Sequence, residues 1–193
     1  MDFYHDGQRA VQARFASTAL ADRLSQVTHR TALTADDVTF VHAAGFFFLA
    51  TADAEGRPDC SYKGGAPGFV RAAPGLVVFP DYDGNGMFRS LGNITVNPAV
   101  GLLFIAMDGA PKRLRINGRA RVSFDDPMMS GFVGAQALVM VTPEHIFPNC
   151  PRYIHDVGGG VESKYTPRPD TPPEEPAWKG FDVFKDVVPP RRK

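Results

Sequence analysis

The chain has 193 residues, of which 44% are hydrophobic, so it can bury one substantial core and is expected to form one domain with tails. Its 21 basic residues balance its 21 acidic residues, and this zero net charge argues against nucleic acid or an anionic membrane as the main partner. The N-terminus lacks the apolar core of a signal peptide, and the longest apolar run, AAGFFFLA, is too short to span a bilayer, so we expect a soluble, cytoplasmic protein.

The chain has two cysteines, Cys60 and Cys150, which lie far apart in the sequence. Neither has the closely spaced partners that a zinc site or a thioredoxin-like motif requires. The sequence therefore predicts neither a metal site nor a disulfide framework.

Two helices are predicted in the first quarter of the chain. Over residues 7–27, apolar residues recur at spacings of three to five with polar residues between them, which is typical of one amphipathic helix. Thr34 has the side chain of a helix N-cap, and acidic residues such as Asp37 suit the positive end of a helix. A short second helix is therefore expected from Thr34 to about Ala44.

The sequence then changes to short β-rich runs separated by Gly, Pro and Asp. The strand candidates are FFFLATA (46–52), LVVFP (76–80), AVGLLFIA (99–106), LRINGRARVSF (114–124) and ALVMV (137–141). The run at 99–106 is apolar on both faces and should be covered on both sides, whereas the run at 114–124 alternates and has one polar face. Because the crossover helices of a parallel sheet are missing, these strands predict a small antiparallel barrel.

The composition shifts after Val157 to a segment dense in Pro, Gly and charge. We therefore divide the chain into a barrel domain with N-terminal helices, residues 1–157, and an extended Pro-rich C-terminal arm, residues 158–193. The arm contains large apolar side chains, among them Trp178 and Phe184, which a purely solvated tail would not need. We expect the arm to dock on the protein, at a partner subunit.

The stretch FPDYDGNGMFRSLGNITVNPAVGLLFI (79–105) combines a strand end, a glycine-punctuated turn, an Arg-Ser pair, an Asn-Pro stop and a second strand. Such an arrangement can bring backbone N–H groups, a hydroxyl and a guanidinium together on a phosphate. It therefore predicts an anionic cofactor site with Arg89 as its leading residue. The alternative is that Arg89 is a solvated arginine at the start of a helix.

Three segments, in this order, resemble the pyridoxamine 5′-phosphate oxidase-like family of FMN-binding split barrels. They are FFFLATADAEGRPDCSYKGG (46–65), LVVFPDYDGNGMFRSLGNITVNPAVGLLFI (76–105) and KRLRINGRARV (112–122). The resemblance implies a mainly β, α+β fold, in which flanking helices, an N-terminal helix and an extended C-terminal arm accompany a six-stranded antiparallel split barrel. It also implies a symmetric homodimer with FMN held between its two subunits.

The family's cofactor residues can be carried over to positions in this chain. Its turn element falls on Arg89 and Ser90, with Asn93 further along, where a guanidinium and a hydroxyl suit a phosphate. On the long strand, Arg113 occupies the position of a flavin-facing Gln or Arg, and Arg115 follows on the same face.

The second strand departs from the family pattern. Where flavin-dependent members carry an Arg and a Lys, this chain has Ser61 and Ala66. Lys63 lies between them and is expected to supply the positive charge, with Tyr62 and Gly64 joining Ser61 as further cofactor contacts. The alternative is that Lys63 only ends an exposed strand.

The segment FPNCPRYIH (147–155) places a thiol and an imidazole close together in the sequence, at Cys150 and His155. Nucleophilic catalysis would need a third group to orient the base, and none is identifiable. We therefore assign no catalytic residue and expect this segment to pack at the dimer seam.

The resemblance implies an FMN-dependent oxidoreductase acting on a small molecule that the sequence does not identify, because the flavin itself carries the redox chemistry. Two alternatives stay open. One is a reductase on the same fold that uses the deazaflavin F420. The other is a non-catalytic flavin- or haem-binding module, with His42, His145 and His155 as candidate axial ligands.

Overall fold

The computed structural model describes residues 3–166 and 174–189. The chain forms two compact units. The sheet unit comprises Arg30–Ala106 and Lys112–Asn149, and the terminal unit comprises Met1–His29, Met107–Pro111 and Cys150–Lys193. The predicted domain boundary at residue 157 stays a prediction.

The sheet unit is built on one antiparallel sheet, which has seven strands within the described residues. They are β1 (Phe46–Ala52), β2 (Pro58–Gly64), β3 (Arg71–Ala73), β4 (Leu76–Tyr82), β5 (Ala99–Ala106), β6 (Lys112–Ser123) and β7 (Ala135–Asn149). Their order is β2-β1-β5-β6-β7-β4-β3, so the sheet has two edges and does not close. The predicted mainly β, α+β split-barrel class is confirmed. The strand beyond the expected six arises because short β3 pairs with β4, and three residues are too few to show an alternation pattern.

Aromatic side chains join distant strands of this sheet. Phe47 of β1 stacks on Phe104 of β5 and meets Phe79 of β4 edge-on, with both pairs of ring centroids 4.9 Å apart. All three rings are fully buried. Since β1 and β4 are not hydrogen-bonded neighbours, this contact requires the sheet to curl until its two ends face each other.

The two faces of the sheet differ as the sequence predicts for β6, where Leu114 and Ile116 are buried and Arg115 is exposed. In β5, Val100, Leu102 and Phe104 lie in the core, whereas Leu103 and Ile105 on the opposite face are only half-buried. The strand register places a set of apolar side chains on that same face. We call this the outer face; its apolar members are Phe46, Phe48, Tyr62, Leu103, Ile105 and Phe147, and Arg113 and Arg115 lie among them, opposite Ile105 and Leu103.

The second predicted helix is confirmed as α3 (Ala35–Ala43). Thr34 accepts a hydrogen bond from the backbone N–H of Asp37 at 3.2 Å, and the Asp37 carboxylate accepts one from the N–H of Thr34 at 3.0 Å. This reciprocal capping box satisfies N–H groups that have no partner inside the helix. The Asp37 carboxylate also pairs with Arg30 at 2.7 Å.

The prediction of one helix over residues 7–27 is wrong. The segment forms α1 (Asp6–Arg14) and α2 (Thr18–Thr28), and the chain reverses between them at Ala16, whose φ is +52°. The apolar spacing runs across the break because both helices use the same period, so periodicity alone does not reveal it. Ser17 and Thr18 are residue types typical of a helix start, and they were the signal in the sequence that a second helix begins here.

The C-terminal segment of the terminal unit contacts α2. Arg23 donates to the carbonyl oxygen of Val183 at 2.6 Å and pairs with the Asp186 carboxylate at 3.0 Å. Trp178 meets Phe184 edge-on, with centroids 5.6 Å apart. The arm is thus tied to its own chain, and docking on a partner subunit stays a prediction. Among the described helices, none combines the length and apolar character needed to cross a bilayer.

Replacing Phe47 with Ala should lower the free energy of unfolding by about 3–5 kcal/mol, because a fully buried ring would leave a cavity at the contact between β1 and β4. Urea denaturation followed by circular dichroism would measure the loss. The matched control is Phe124→Ala, which removes a ring that is 66% exposed and should change stability by less than about 0.5 kcal/mol. Equal losses in the two variants would contradict the proposed role of Phe47.

Candidate functional site

A cleft of about 400 Å³ lies in the sheet unit between β2 and the segment that leads out of β4. Its walls come from residues 59–63, 81–82, 84–91 and 136. This volume falls in the range of small-molecule sites. The stretch 79–105, singled out from the sequence, therefore supplies one wall and β2 supplies the other.

Three polar contacts cross this cleft from one face of β2. Alternate residues of a strand share a face, so Asp59, Ser61 and Lys63 all lie on the same side of β2. The contacts are Arg89 Nε to Asp59 Oδ1 at 3.0 Å, Ser61 Oγ to Ser90 Oγ at 3.0 Å, and Lys63 Nζ to Asp81 Oδ1 at 3.7 Å. We refer to them as the cleft contacts. The structure thus brings four of the predicted site residues together, namely Ser61, Lys63, Arg89 and Ser90.

Arg89 begins α4 (Arg89–Val96), a helix start that the sequence offered only as the alternative for this residue, and its side chain is 61% exposed. The preceding residue, Phe88, has φ +46°, a left-handed conformation that costs a non-glycine residue about 1–3 kcal/mol. The turn before it is shaped by Gly86 at φ +72° and by Asn85, whose side chain accepts from the Met87 N–H at 3.0 Å. The first turn of a helix has N–H groups without intrahelical partners and a positive dipole end, so this backbone favours an anion beside Arg89.

Two hydroxyl groups lie beside that helix start. Ser90 is only 5% exposed, and its oxygen lies within hydrogen-bond distance of the Ser61 oxygen. Each hydroxyl can rotate to donate to a ligand or to its neighbour. The serine pair therefore adds two adaptable donors to the guanidinium of Arg89.

The other end of the cleft contains a lysine and a carboxylate. The Lys63 side chain is 20% exposed and contacts Asp81, so it does more than end an exposed strand. The second oxygen of Asp81 accepts from Gln136 Nε2 at 2.9 Å, and the same amide donates to the carbonyl oxygen of Tyr82 at 3.1 Å. Sequence reasoning missed Gln136, because a lone glutamine at a strand start gives no motif and only the β4–β7 pairing brings it here.

The remaining predicted site residues lie at the rim or elsewhere. Tyr62 lines the cleft, and Gly64 lines an adjoining pocket of about 180 Å³. The Asn93 amide donates to the Thr51 hydroxyl at 3.0 Å and so ties α4 to β1. Arg113 lies on β6 opposite Ile105 and Asn149 and does not line this cleft. Ligand contacts by these residues stay predictions.

Cys150 belongs to the terminal unit and has two side-chain N–H donors at its sulfur. They are Arg152 Nε at 3.2 Å and Trp178 Nε1 at 3.3 Å. Burial raises the pKa of the Cys150 thiol, but N–H donors from Arg152 and Trp178 outweigh it, so that pKa lies below its ordinary value. His155 Nδ1 accepts from the Ser163 N–H at 3.0 Å, which occupies one ring nitrogen. Within the described residues, no group of three Cys, His, Asp or Glu side chains is arranged to hold a metal ion.

Replacing Trp178 with Phe should raise the pKa of Cys150, because one N–H donor to the thiolate is lost. The rate of alkylation by iodoacetamide follows the thiolate, so its midpoint should move to higher pH. The measurement needs a Cys60→Ser background, since Cys60 is exposed and would react as well. Phe181→Leu, which changes an exposed ring nearby in the sequence, is the control and should leave the midpoint unmoved. An unshifted midpoint in Trp178→Phe would mean that the indole does not stabilise the thiolate.

Comparison with known proteins gives a family match. Residues 33–147 match the sequence model of the family described as pyridoxamine 5′-phosphate oxidase. That span is more than half of the chain and contains every residue that lines the cleft. No curated protein gives a significant sequence match.

The solved structures that are similar to this chain include the following three. A provisionally named pyridoxamine 5′-phosphate oxidase from Lactobacillus delbrueckii is 21% identical, covers 63% of this chain and 99% of its own, and has a TM-score of 0.50. An FAD binding protein from Mycobacterium smegmatis has 14% identity, coverages of 62% and 97%, and a TM-score of 0.44. The haem storage protein HutZ from Vibrio cholerae has 23% identity, coverages of 54% and 84%, and a TM-score of 0.39. The first similarity supports the fold, and none of the three identifies a ligand of this chain.

Proposed function

The chain belongs to the pyridoxamine 5′-phosphate oxidase family, and on that basis we propose that its cleft binds a flavin, FMN first of all, and that the protein is an oxidoreductase for a small molecule. The observation that carries the proposal is the group formed by Arg89, Ser90 and Ser61 at the start of α4. It is the kind of donor set that a phosphate requires, and it lies in the segment that matches the family.

The donors at the start of α4 suit a phosphate monoester. A guanidinium has five N–H donors, and Asp59 takes the one on Nε of Arg89, so the Nη groups can bind two phosphate oxygens in parallel. The hydroxyls of Ser61 and Ser90 can exchange their mutual hydrogen bond for bonds to the same group. The helix dipole adds to this attraction.

The rest of the cleft suits a planar ring with a polar edge. Met87 and Phe88 are large apolar side chains that are more than half exposed at the cleft wall, and they offer a surface that can cover a ring and exclude water. Lys63 offers N–H donors to the polar edge, and Gln136, whose two N–H groups bind Asp81 and Tyr82, offers its carbonyl oxygen as an acceptor. When bound, the flavin would supply the hydride or electron transfer, while these residues hold and orient it.

An absorbance spectrum of the purified protein and a titration with FMN test the proposal directly. Flavin absorbance with a micromolar or tighter affinity is expected. A parallel titration with F420 distinguishes an F420-dependent reductase from an FMN-binding protein. Reduction of the bound flavin by NADPH or NADH distinguishes an oxidoreductase from a module that only binds flavin. A colourless protein that binds neither cofactor would overturn the proposal, and haem binding would then be the next test.

Replacing Arg89 with Ala should weaken FMN binding by about 1.5–3 kcal/mol, because a charged hydrogen bond to the phosphate would be lost. Fluorescence quenching of the flavin on titration would measure it. The matched control is Arg57→Ala, which removes an exposed arginine that pairs with Asp53 in the turn before β2. An affinity unchanged in Arg89→Ala would identify Arg89 as an ordinary surface residue.

We also propose that two copies form a symmetric homodimer through the outer face. Within one chain Tyr62 is 62% exposed and stacks on Phe46 with centroids 5.4 Å apart, so the patch presents aromatic surface. Tyrosine and other aromatic side chains are the residues that most often anchor interfaces. The apolar character of both faces of β5 supports the same conclusion.

Replacing Tyr62 with Glu should weaken the dimer at least about tenfold, since each interface would gain two symmetry-related carboxylates beside the rings of Phe46 and Phe48. Analytical ultracentrifugation at micromolar concentration would measure this. Val133→Glu places the same charge on a side chain that is 95% exposed and outside the outer face, and it should leave the dimer intact. Sedimentation of the unmodified protein as a monomer would contradict the dimer.

A further inference from the structure

Each cation of the cleft has a carboxylate partner. Arg89 contacts Asp59, and Lys63 contacts Asp81. The Asp59 side chain is only 20% exposed, whereas that of Arg89 is 61% exposed. The family resemblance assigned no role to Asp59, and its position in the cleft follows only from the way β2 faces α4.

We propose that Asp59 is the residue that limits how strongly the cleft binds an anion, because its carboxylate holds Nε of Arg89 and lies beside any phosphate that the Nη groups of Arg89 would bind. Asp59 thus opposes the ligand through the repulsion between two negative charges. The inference rests on the proposed function for the identity of that ligand as a flavin phosphate, but it applies to any phosphate group that reaches Arg89.

The geometry of β2 places the Asp59 carboxylate next to the anion. Asp59 and Ser61 are two residues apart on one face, which corresponds to about 7 Å along a strand. Arg89 and the serine pair both lie across from that face. A phosphate that bridges Arg89 and Ser61 must therefore lie beside the Asp59 carboxylate.

Asp59 has two opposite effects on such a phosphate, and repulsion is the larger. Its contact with Arg89 is a single bond to Nε, made by a largely exposed guanidinium, so the benefit of orienting Arg89 is small. A phosphate monoester carries a charge between about −1.5 and −2 at pH 7, and a mostly buried carboxylate beside it is poorly screened. Removing the charge of Asp59 should therefore strengthen anion binding.

Asp81 is held differently and is not expected to behave in the same way. Its second oxygen accepts from Gln136 at 2.9 Å, so the carboxylate has a partner besides Lys63. Asp59, by contrast, pairs with Arg89 itself, the residue that would bind the phosphate.

The test compares Asp59→Asn with the unmodified protein, using inorganic phosphate as the probe in calorimetric titrations. Asn keeps the shape and a carbonyl acceptor for Arg89 but removes the charge. Phosphate should bind about 3- to 10-fold more tightly to Asp59→Asn, and the gain should vanish in the double variant Asp59→Asn/Arg89→Gln. The matched control is Asp53→Asn, which neutralises a carboxylate paired with Arg57 outside the cleft and should change nothing.

Flavin titrations separate this inference from the proposed function. Asp59→Asn should bind FMN more tightly and riboflavin, which lacks the phosphate, with unchanged affinity. The inference would be overturned if Asp59→Asn bound phosphate no more tightly than the unmodified protein does. It would also be overturned if the increase in phosphate affinity persisted in the double variant that lacks Arg89. Tighter phosphate binding in Asp59→Asn without FMN binding by any variant would refute the flavin proposal and support the role of Asp59.

Discussion

The contact of Phe47 with Phe79 and Phe104 is the constraint on which the sheet unit depends. Phe47 and Phe79 lie on β1 and β4, which share no hydrogen bonds, so only side-chain packing holds these strands face to face. Burying an aromatic ring contributes about 1.5–3 kcal/mol, and three meet at this point. β2 is an edge strand of the open sheet. Because the sheet curls, the polar face of β2 lies opposite α4, although the sheet does not close. The cleft is the gap that remains.

The cleft contacts are of a different kind from the core. They are polar contacts between side chains, two ion pairs and one hydroxyl pair, and the pair made by the exposed guanidinium of Arg89 contributes about 0–1 kcal/mol. A ligand can therefore replace them without disturbing the aromatic packing behind them. The left-handed backbone at Phe88 shows that the turn beside them is held under strain by the surrounding structure. Stability and binding are thus assigned to separate sets of residues on the same strands.

The sequence predicted the elements whose signals are local. The β1 and β5 runs were predicted with the bounds that the structure has, and the alternation in β6 and the Thr34 cap of α3 were recognised because neighbouring residues define them. The break at Ala16 was missed and the helix start at Arg89 was given only as an alternative, since a positive φ and a short helix depend on tertiary packing.

The same limit applies to the site. Ser61, Lys63, Arg89 and Ser90 were predicted, and they do meet in the cleft. Asp59, Asp81 and Gln136 were not, although Asp59 and Gln136 contact residues 30 and 55 positions away in the sequence at this cleft. Cations and hydroxyls are the residue types expected to bind an anion, so the carboxylates that pair with those cations give no signal of the site in the sequence.

The terminal unit has a consequence for the order in which the protein can be assembled during synthesis. Arg23 of α2 and its partner Asp186 are 163 residues apart, and both lie in this unit. At about 5–20 residues per second, a ribosome would need roughly 8–33 s to deliver the second after the first. The N-terminal helices leave the ribosome before the sheet unit, but α2 can contact the C-terminal segment only after the sheet unit has emerged. During that time the nascent chain contains these helices without their C-terminal partner.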